Sequence, residues 1–216
     1  VFSLPWITAI AFSAIAHISA EELGKTRLCY VFKPLTTVLI TAFFCWHVEN
    51  WSVVSYLVLA ALLLSLCGDI FLMLPSDKFL PGLTSFLLAH LVYVGVFSLL
   101  ITDFSITVFP FLAFLYATIL LFKLWPSLGE MRIAVMLYSS VIMLMLMAAI
   151  QLWVGASNLS SLLVLVGAMS FAFSDSIIAI KRFIGAKAWH EPVLLATYYV
   201  AQLLIAVGML LQVNLP

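Results

Sequence analysis

Apolar residues run through this chain in eight long blocks, at residues 4–20, 28–46, 53–74, 80–101, 106–122, 133–153, 159–180 and 192–213, separated by short polar connections. An α-helix rises about 1.5 Å per residue, so about 20 apolar residues cross a hydrocarbon layer of about 30 Å. Each block therefore predicts one membrane-spanning helix, the shortest of them short or tilted ones. The connections leave no room for a second domain. The expected fold is all-α: a polytopic integral membrane protein whose residues 1–216 form a single eight-span domain.

Composition sharpens this without changing it. Of the residues, 66% are hydrophobic and 8% charged, where an ordinary soluble domain carries about 25% charge. Nine basic and nine acidic residues balance, so nothing argues for a nucleic-acid partner. The natural partner is the lipid bilayer itself. The three cysteines, Cys29, Cys45 and Cys67, sit in or beside apolar blocks and read as small core residues. Residues 1–20 have no basic leading segment and no small-residue cleavage signal, so they read as a first span rather than a signal peptide.

The basic residues orient the bundle. Lys25 and Arg27 fall between the first two spans, Lys78 between the third and fourth, Lys123 and Arg132 around the fifth connection, and Lys181, Arg182 and Lys187 after the seventh span. The even-numbered connections carry neither lysine nor arginine. By the positive-inside rule the odd-numbered connections are cytoplasmic and both termini lie on the opposite side. Trp46, Trp51, Trp125 and Trp189 fall at span ends, where interfacial aromatics belong.

Polar residues inside the spans then become informative, because an ionisable group at a helix centre costs roughly 2.5–3.5 kcal/mol on insertion scales and persists where it lines a cavity or does chemistry. Asp69, Asp175, Lys33, Tyr138 and Tyr198 each lie roughly 7–8 Å inside the cytoplasmic end of a different span, with Gln202 one turn beyond Tyr198 and His90 roughly 15 Å deep. Clustering at one depth predicts a shared cavity open to the cytoplasmic leaflet. Along span four, Phe86, His90, Tyr93 and Phe97 share a face with Gly82; along span two, Lys33, Thr37 and Thr41 do so, beside Pro34. Gly167, Ser170 and Ser174 form a small-residue stripe next to Asp175 and Ser176, the usual mark of a helix-packing face.

The chain also echoes itself. The third span of each half carries a carboxylate, in LCGDIFL at Asp69 and FSDSIIA at Asp175. Lys33 and Tyr138 hold similar places in the second spans, as His90 and Gln202 do in the fourth. Two parallel four-helix repeats, residues 1–104 and 105–216, would make the aspartates pseudo-symmetry mates facing one another at a repeat interface.

Two carboxyl groups in such a cavity are expected to divide into one acid and one carboxylate, the pairing that general acid–base hydrolysis needs. Simpler readings stand beside this one. Lys33 pairs with an aspartate and neutralises it, His90 makes an interhelical hydrogen bond, and Glu21, Glu22, Asp77, Asp103 and Glu130 are loop charges. No metal site is expected, because His17, His47 and His190 lie at span ends or in connections on different sides. No Gly-x-Ser-x-Gly elbow is present, which argues against a serine hydrolase. The residues alone reach a leaflet-accessible acid–base site for an amphiphile. A proton-coupled transporter of a small amphiphile fits the same features, and a zinc-dependent lipid hydrolase of the alkaline ceramidase type is a further alternative.

The ordered strings KPLTT, GDIFLM, FLPGLTSFLLAHLVY, LYSSVIMLMLMAA, GAMSFAFSDSIIAIKRF and YYVAQLL resemble the YhhN-like family of lysoplasmalogenases over essentially the whole chain. The resemblance implies eight spans in a bacterial inner membrane or an endomembrane. It also implies hydrolysis of the vinyl ether bond of lysoplasmalogens to a fatty aldehyde and a glycerophospho-base, with no cofactor or required metal. Asp69 and Asp175 are then the expected catalytic pair. Lys33, His90, Tyr93, Tyr138, Ser174, Ser176, Tyr198 and Gln202 are expected around them, binding substrate or positioning water.

Overall fold

The computed structural model describes residues 4–214, so the extreme chain ends, which the charge pattern assigns to the non-cytoplasmic side, lie outside the described residues. Eight long helices follow in order: α1 (Leu4–Glu22), α2 (Thr26–His47), α3 (Val53–Met73), α4 (Phe79–Leu99), α5 (Phe109–Leu124), α6 (Arg132–Ala156), α7 (Leu159–Phe183) and α8 (His190–Val213), with two single 3₁₀ turns between α5 and α6. All eight are long and apolar enough to cross a membrane, and the described residues include no strand. The predicted blocks and the helices agree to within a few residues. The largest shift at a helix start is in α5, which begins at Phe109 rather than at residue 106. Pro110 sits in its first turn, where a missing N–H costs nothing, and the β-branched Ile106, Thr107 and Val108 stay outside it.

Local chemistry sets the other ends. Ser52 and Asn158 each cap a helix, accepting from the backbone N–H three residues on, while Ser55 and Ser161 complete reciprocal capping boxes. The turn from α1 to α2 passes through Gly24 at φ 65°, a conformation that favours glycine. Tight connections make successive helices antiparallel, so the ends of α1, α3, α5 and α7 and the starts of α2, α4, α6 and α8 gather at one pole. That pole holds Lys25, Arg27, Lys78, Lys123, Arg132, Lys181, Arg182 and Lys187.

α7 and α8 are the most enclosed helices and α5 the most peripheral, presenting Phe111, Phe114 and Phe122 outward. An apolar exterior of this kind is what lipid contact requires. The packing pairs repeat from one half to the other: α1 on α2 as α5 on α6, α2 on α3 as α6 on α7, α3 on α4 as α7 on α8, and α4 on α6 as α8 on α2. Small residues let the central pair approach. Ser160 Oγ donates to the carbonyl of Gly208 at 2.8 Å, and a Cβ on Gly208 would meet the Ser160 carbonyl oxygen at 2.8 Å.

Candidate functional site

Asp69 lies one turn before the end of α3 and is almost fully buried. Its Oδ2 accepts from Thr37 Oγ1 of α2 at 2.6 Å and from Tyr198 OH of α8 at 2.7 Å. The Tyr198 hydroxyl in turn accepts from Gln202 Nε2 at 3.2 Å, and Gln202 Oε1 accepts from Tyr93 OH of α4 at 3.3 Å. Five buried side chains thus form one continuous hydrogen-bonded chain across four helices, and such networks specify a single arrangement when every member is satisfied.

Asp175, in α7, has separate partners. Its Oδ2 accepts from Tyr138 OH of α6 at 2.7 Å, and His90 Nε2 of α4 stands 3.6 Å away, beyond a normal hydrogen bond. Both ring nitrogens of the fully buried His90 lack a hydrogen-bond partner. The two carboxyl centres meet through aromatic rings. Phe171 packs edge-on against both His90 (4.5 Å between centroids) and Tyr198 (5.5 Å), and Phe86 packs on Phe171 and Tyr198. Phe86 fits there because position 68 is glycine: a Cβ would stand 2.5 Å from its ring.

These partners map onto one another under a shift of four helices. Asp69 of α3 receives a hydroxyl from α2 and one from α8; Asp175 of α7 receives a hydroxyl from α6 and faces an imidazole from α4. Each carboxyl is served by the second helix of its own half and the fourth helix of the other. The chemistry differs where the geometry matches. The Asp69 centre is closed by hydrogen bonds, whereas the Asp175 centre keeps an unpaired imidazole.

The centres also differ in access. A small pocket has Asp175, Tyr138 and Ser176 in an otherwise largely apolar wall, and Asp69 is not part of that wall. Leu72, Phe79 and Ile178 separate it from a second pocket of about 970 Å³ at the basic pole, lined by Lys33, Lys78, Lys181 and Arg182 along with Asp77 and Glu191. There Lys181 pairs with Glu191, while Arg182 bonds Asp77 at 2.6 Å and lies over the Phe79 ring. The Arg182 guanidinium holds the exposed Asp77 carboxyl below the usual carboxylate range. On the other side of Ser176, a wholly hydrophobic groove of about 1120 Å³ runs between α5, α6 and α7. Tyr116, which lines that groove, donates to Ser176 Oγ at 2.8 Å.

Several sequence expectations come out differently in detail. Lys33 forms no ion pair with either aspartate among the described residues; it lines the basic pocket instead. Tyr93 and Gln202 belong with Asp69, and His90 belongs with Asp175, so the residues expected around a single pair divide between two centres. Ser174 Oγ donates to the Leu194 carbonyl at 3.1 Å and ties α7 to α8. Ser176 Oγ donates to Ala172 and accepts from Tyr116, so its hydroxyl is engaged on the cavity wall. His17, just over one turn before the end of α1, is fully buried. Phe171 and Tyr116 carried no sequence signal, since an apolar ring in an apolar helix looks like any other.

Fold and site together define a multi-pass membrane protein with two buried carboxyl centres and, next to one of them, an apolar cavity beside a basic pocket. The chain belongs to the YhhN family, whose sequence model matches residues 28–209. It is 31% identical over 207 residues to the lysoplasmalogenase TMEM86B of Mus musculus, covering 95% of this chain and 85% of that protein. It is 32% identical over 200 residues to a lysoplasmalogenase of Mycobacterium tuberculosis, covering 88% and 73% respectively. A further relative, named an uncharacterized membrane protein YhhN in Escherichia coli O157:H7, is 30% identical over 167 residues, covering 77% of this chain and 80% of its own. No solved structure matches the chain.

Proposed function

We propose that this protein is a membrane-embedded lysoplasmalogenase, cleaving the vinyl ether bond of a lysoplasmalogen by carboxyl-based acid–base catalysis. The observation that carries the reading is Asp175 in the wall of an apolar cavity, held by Tyr138, beside a basic pocket. The related proteins named lysoplasmalogenase support the substrate class. The phosphate of the lipid head group would bind among Lys33, Lys78, Lys181 and Arg182 at the cytoplasmic face, and the alkenyl chain would lie toward the hydrophobic groove past Tyr116.

In the reaction, the protonated Asp175 carboxyl adds its proton to the vinyl carbon remote from oxygen, leaving an oxocarbenium ion. Asp69, whose two hydroxyl donors suit a carboxylate, stabilises that cation electrostatically. Water held by an imidazole nitrogen of His90 adds to the cation and gives up a proton to the Asp175 carboxylate, forming a hemiacetal and restoring the acid. Collapse of the hemiacetal releases a fatty aldehyde and glycerophosphoethanolamine or glycerophosphocholine. No metal takes part. The matching partners of Asp69 and Asp175 also support an origin of the two halves, residues 1–104 and 105–216, as parallel repeats, with the second-half carboxyl specialised for proton transfer.

Purified protein in detergent, treated with a chelator, is expected to release aldehyde from a lysoplasmalogen. The matched acyl lysophospholipid and the saturated alkyl ether should remain intact, because neither has a carbon–carbon double bond on the ether oxygen whose far carbon can take up a proton. Release of fatty acid from the acyl lipid, or loss of turnover on chelation in protein that stays folded, contradicts the proposal.

A further inference from the structure

A second cluster of reactive side chains lies at the basic pole, where α1 turns into α2, apart from the residues assigned to hydrolysis. His17 is fully buried in α1. Its Nδ1 is 2.7 Å from the hydroxyl of Tyr199 in α8. Its Nε2 has no hydrogen-bond partner and faces Glu21 Oε1, one helical turn on, at 3.6 Å. Cys29, buried in the first turns of α2, completes the group; its thiol donates to the Lys25 carbonyl at 3.3 Å. One ligand atom from each of His17, Glu21 and Cys29 lies within 4.8 Å of the other two.

An imidazole nitrogen, a carboxylate oxygen and a thiolate form a borderline-soft donor set of the kind that selects zinc, with a fourth tetrahedral position for water. Zinc bond lengths place tetrahedral ligands roughly 3.4–3.8 Å apart, so binding requires a contraction of about 1 Å. His17 Nε2 and Glu21 Oε1 already stand 3.6 Å apart, so the adjustment falls on the distances to Cys29, and Glu21, in the last turn of α1 with its side chain 36% exposed, can follow it. Tyr199 provides the outer support that metal-bound histidines usually have: an Nδ1–H donated to its hydroxyl leaves Nε2 bare and aimed at the metal. An entry path exists as well, because a pocket of about 600 Å³ reaches Glu21 and Cys29 from the polar side, passing Tyr30 and Lys33.

We propose that His17, Glu21 and Cys29 bind one zinc ion that fastens the end of α1 to α2 and, through Tyr199, to α8. Binding displaces the thiol proton of Cys29 to solvent and breaks its bond to Lys25, so affinity rises with pH. The ion holds helices together and takes no part in hydrolysis, so the proposal stands or falls independently of the activity.

The test uses the full chain without an affinity tag, stripped with a chelator in detergent and titrated with zinc against a chromophoric competitor; cobalt(II) serves as an optical probe. One zinc per chain is expected, with a higher unfolding temperature in its presence. Affinity should fall at least 10-fold in Cys29→Ser and His17→Gln, and about 10-fold in Tyr199→Phe, within the range that loss of an outer partner produces. The thiolate-to-cobalt charge-transfer band should vanish in Cys29→Ser, and Cys45→Ser should match the parent protein. No saturable binding, or binding that Cys29→Ser leaves unchanged or Cys45→Ser weakens equally, overturns the proposal.

Discussion

Replacing Asp175 by Asn is expected to lower kcat/KM for lysoplasmalogen hydrolysis by about 10²–10⁴-fold, the range a positioned general acid contributes. The substitution keeps the shape of the side chain, and its amide oxygen still accepts the Tyr138 hydrogen bond, 2.7 Å long to the native carboxyl. What it removes is the transferable proton. Substrate affinity and the unfolding temperature should therefore stay near those of the parent, separating a chemical defect from a folding one. Asp69→Asn is expected to reduce turnover as well, by removing the nearby buried charge that stabilises the developing cation from outside the cavity wall. The Asp69 variant should be less stable than the Asp175 variant, because its Oδ2 serves two donors in a closed network. Parallel measurements of aldehyde release and thermal unfolding distinguish these outcomes. Normal turnover in a folded Asp175→Asn protein removes that residue from the reaction.

The second large effect concerns the fold. Gly208→Ala places a methyl group 2.8 Å from the Ser160 carbonyl oxygen, 2.9 Å from Val164 Cγ2 and 3.1 Å from the Val164 backbone nitrogen. Two of those three neighbours are main-chain atoms of α7, which cannot rotate away as a side-chain tip would. The central helices have to part, stretching the Ser160–Gly208 hydrogen bond. In a membrane, helices associate through close packing and interhelical hydrogen bonds rather than through a hydrophobic force between them, so both stabilising terms weaken together. A loss of about 1–3 kcal/mol is expected, typical of overpacking in a core, and a larger loss for Gly208→Leu. A detergent unfolding curve for Gly208→Ala that overlays the parent curve contradicts the close contact. Gly95→Ala provides the comparison, since a Cβ there meets nothing within 4 Å.

The spans were legible because lipid imposes a simple demand on sequence: about 20 apolar residues in a helix that satisfies its own backbone. The depths of Asp69, Asp175, Lys33, Tyr138 and Tyr198 followed from the same geometry. Which polar groups would meet was not legible. Helical spacing fixes neighbours within a helix, but the partners of Asp69 come from α2 and α8 and those of Asp175 from α6 and α4. That choice depends on how eight helices pack, and the packing is decided largely by apolar surfaces that look alike in sequence. The sequence echo between the halves pointed to matching carboxyls without revealing that each draws on the fourth helix of the opposite half. His17 shows the same limit. Its place near the end of α1 named no partner, whereas the fold turns it inward onto Tyr199. Glu21 and Cys29, an apparent loop charge and an apparent core residue, become its neighbours once the turn at Gly24 folds α2 back.

The account rests on a proton passing from a buried carboxyl to carbon in the slow chemical step. Single-turnover hydrolysis of a lysoplasmalogen by excess enzyme in detergent, run in H₂O and in D₂O, tests this most directly because product release no longer limits the rate. Slower aldehyde formation in D₂O is expected, with one deuterium on the carbon next to the aldehyde carbon. Equal single-turnover rates in the two solvents, or aldehyde without that deuterium, would contradict carboxyl-to-carbon proton transfer as the step that Asp175 catalyses.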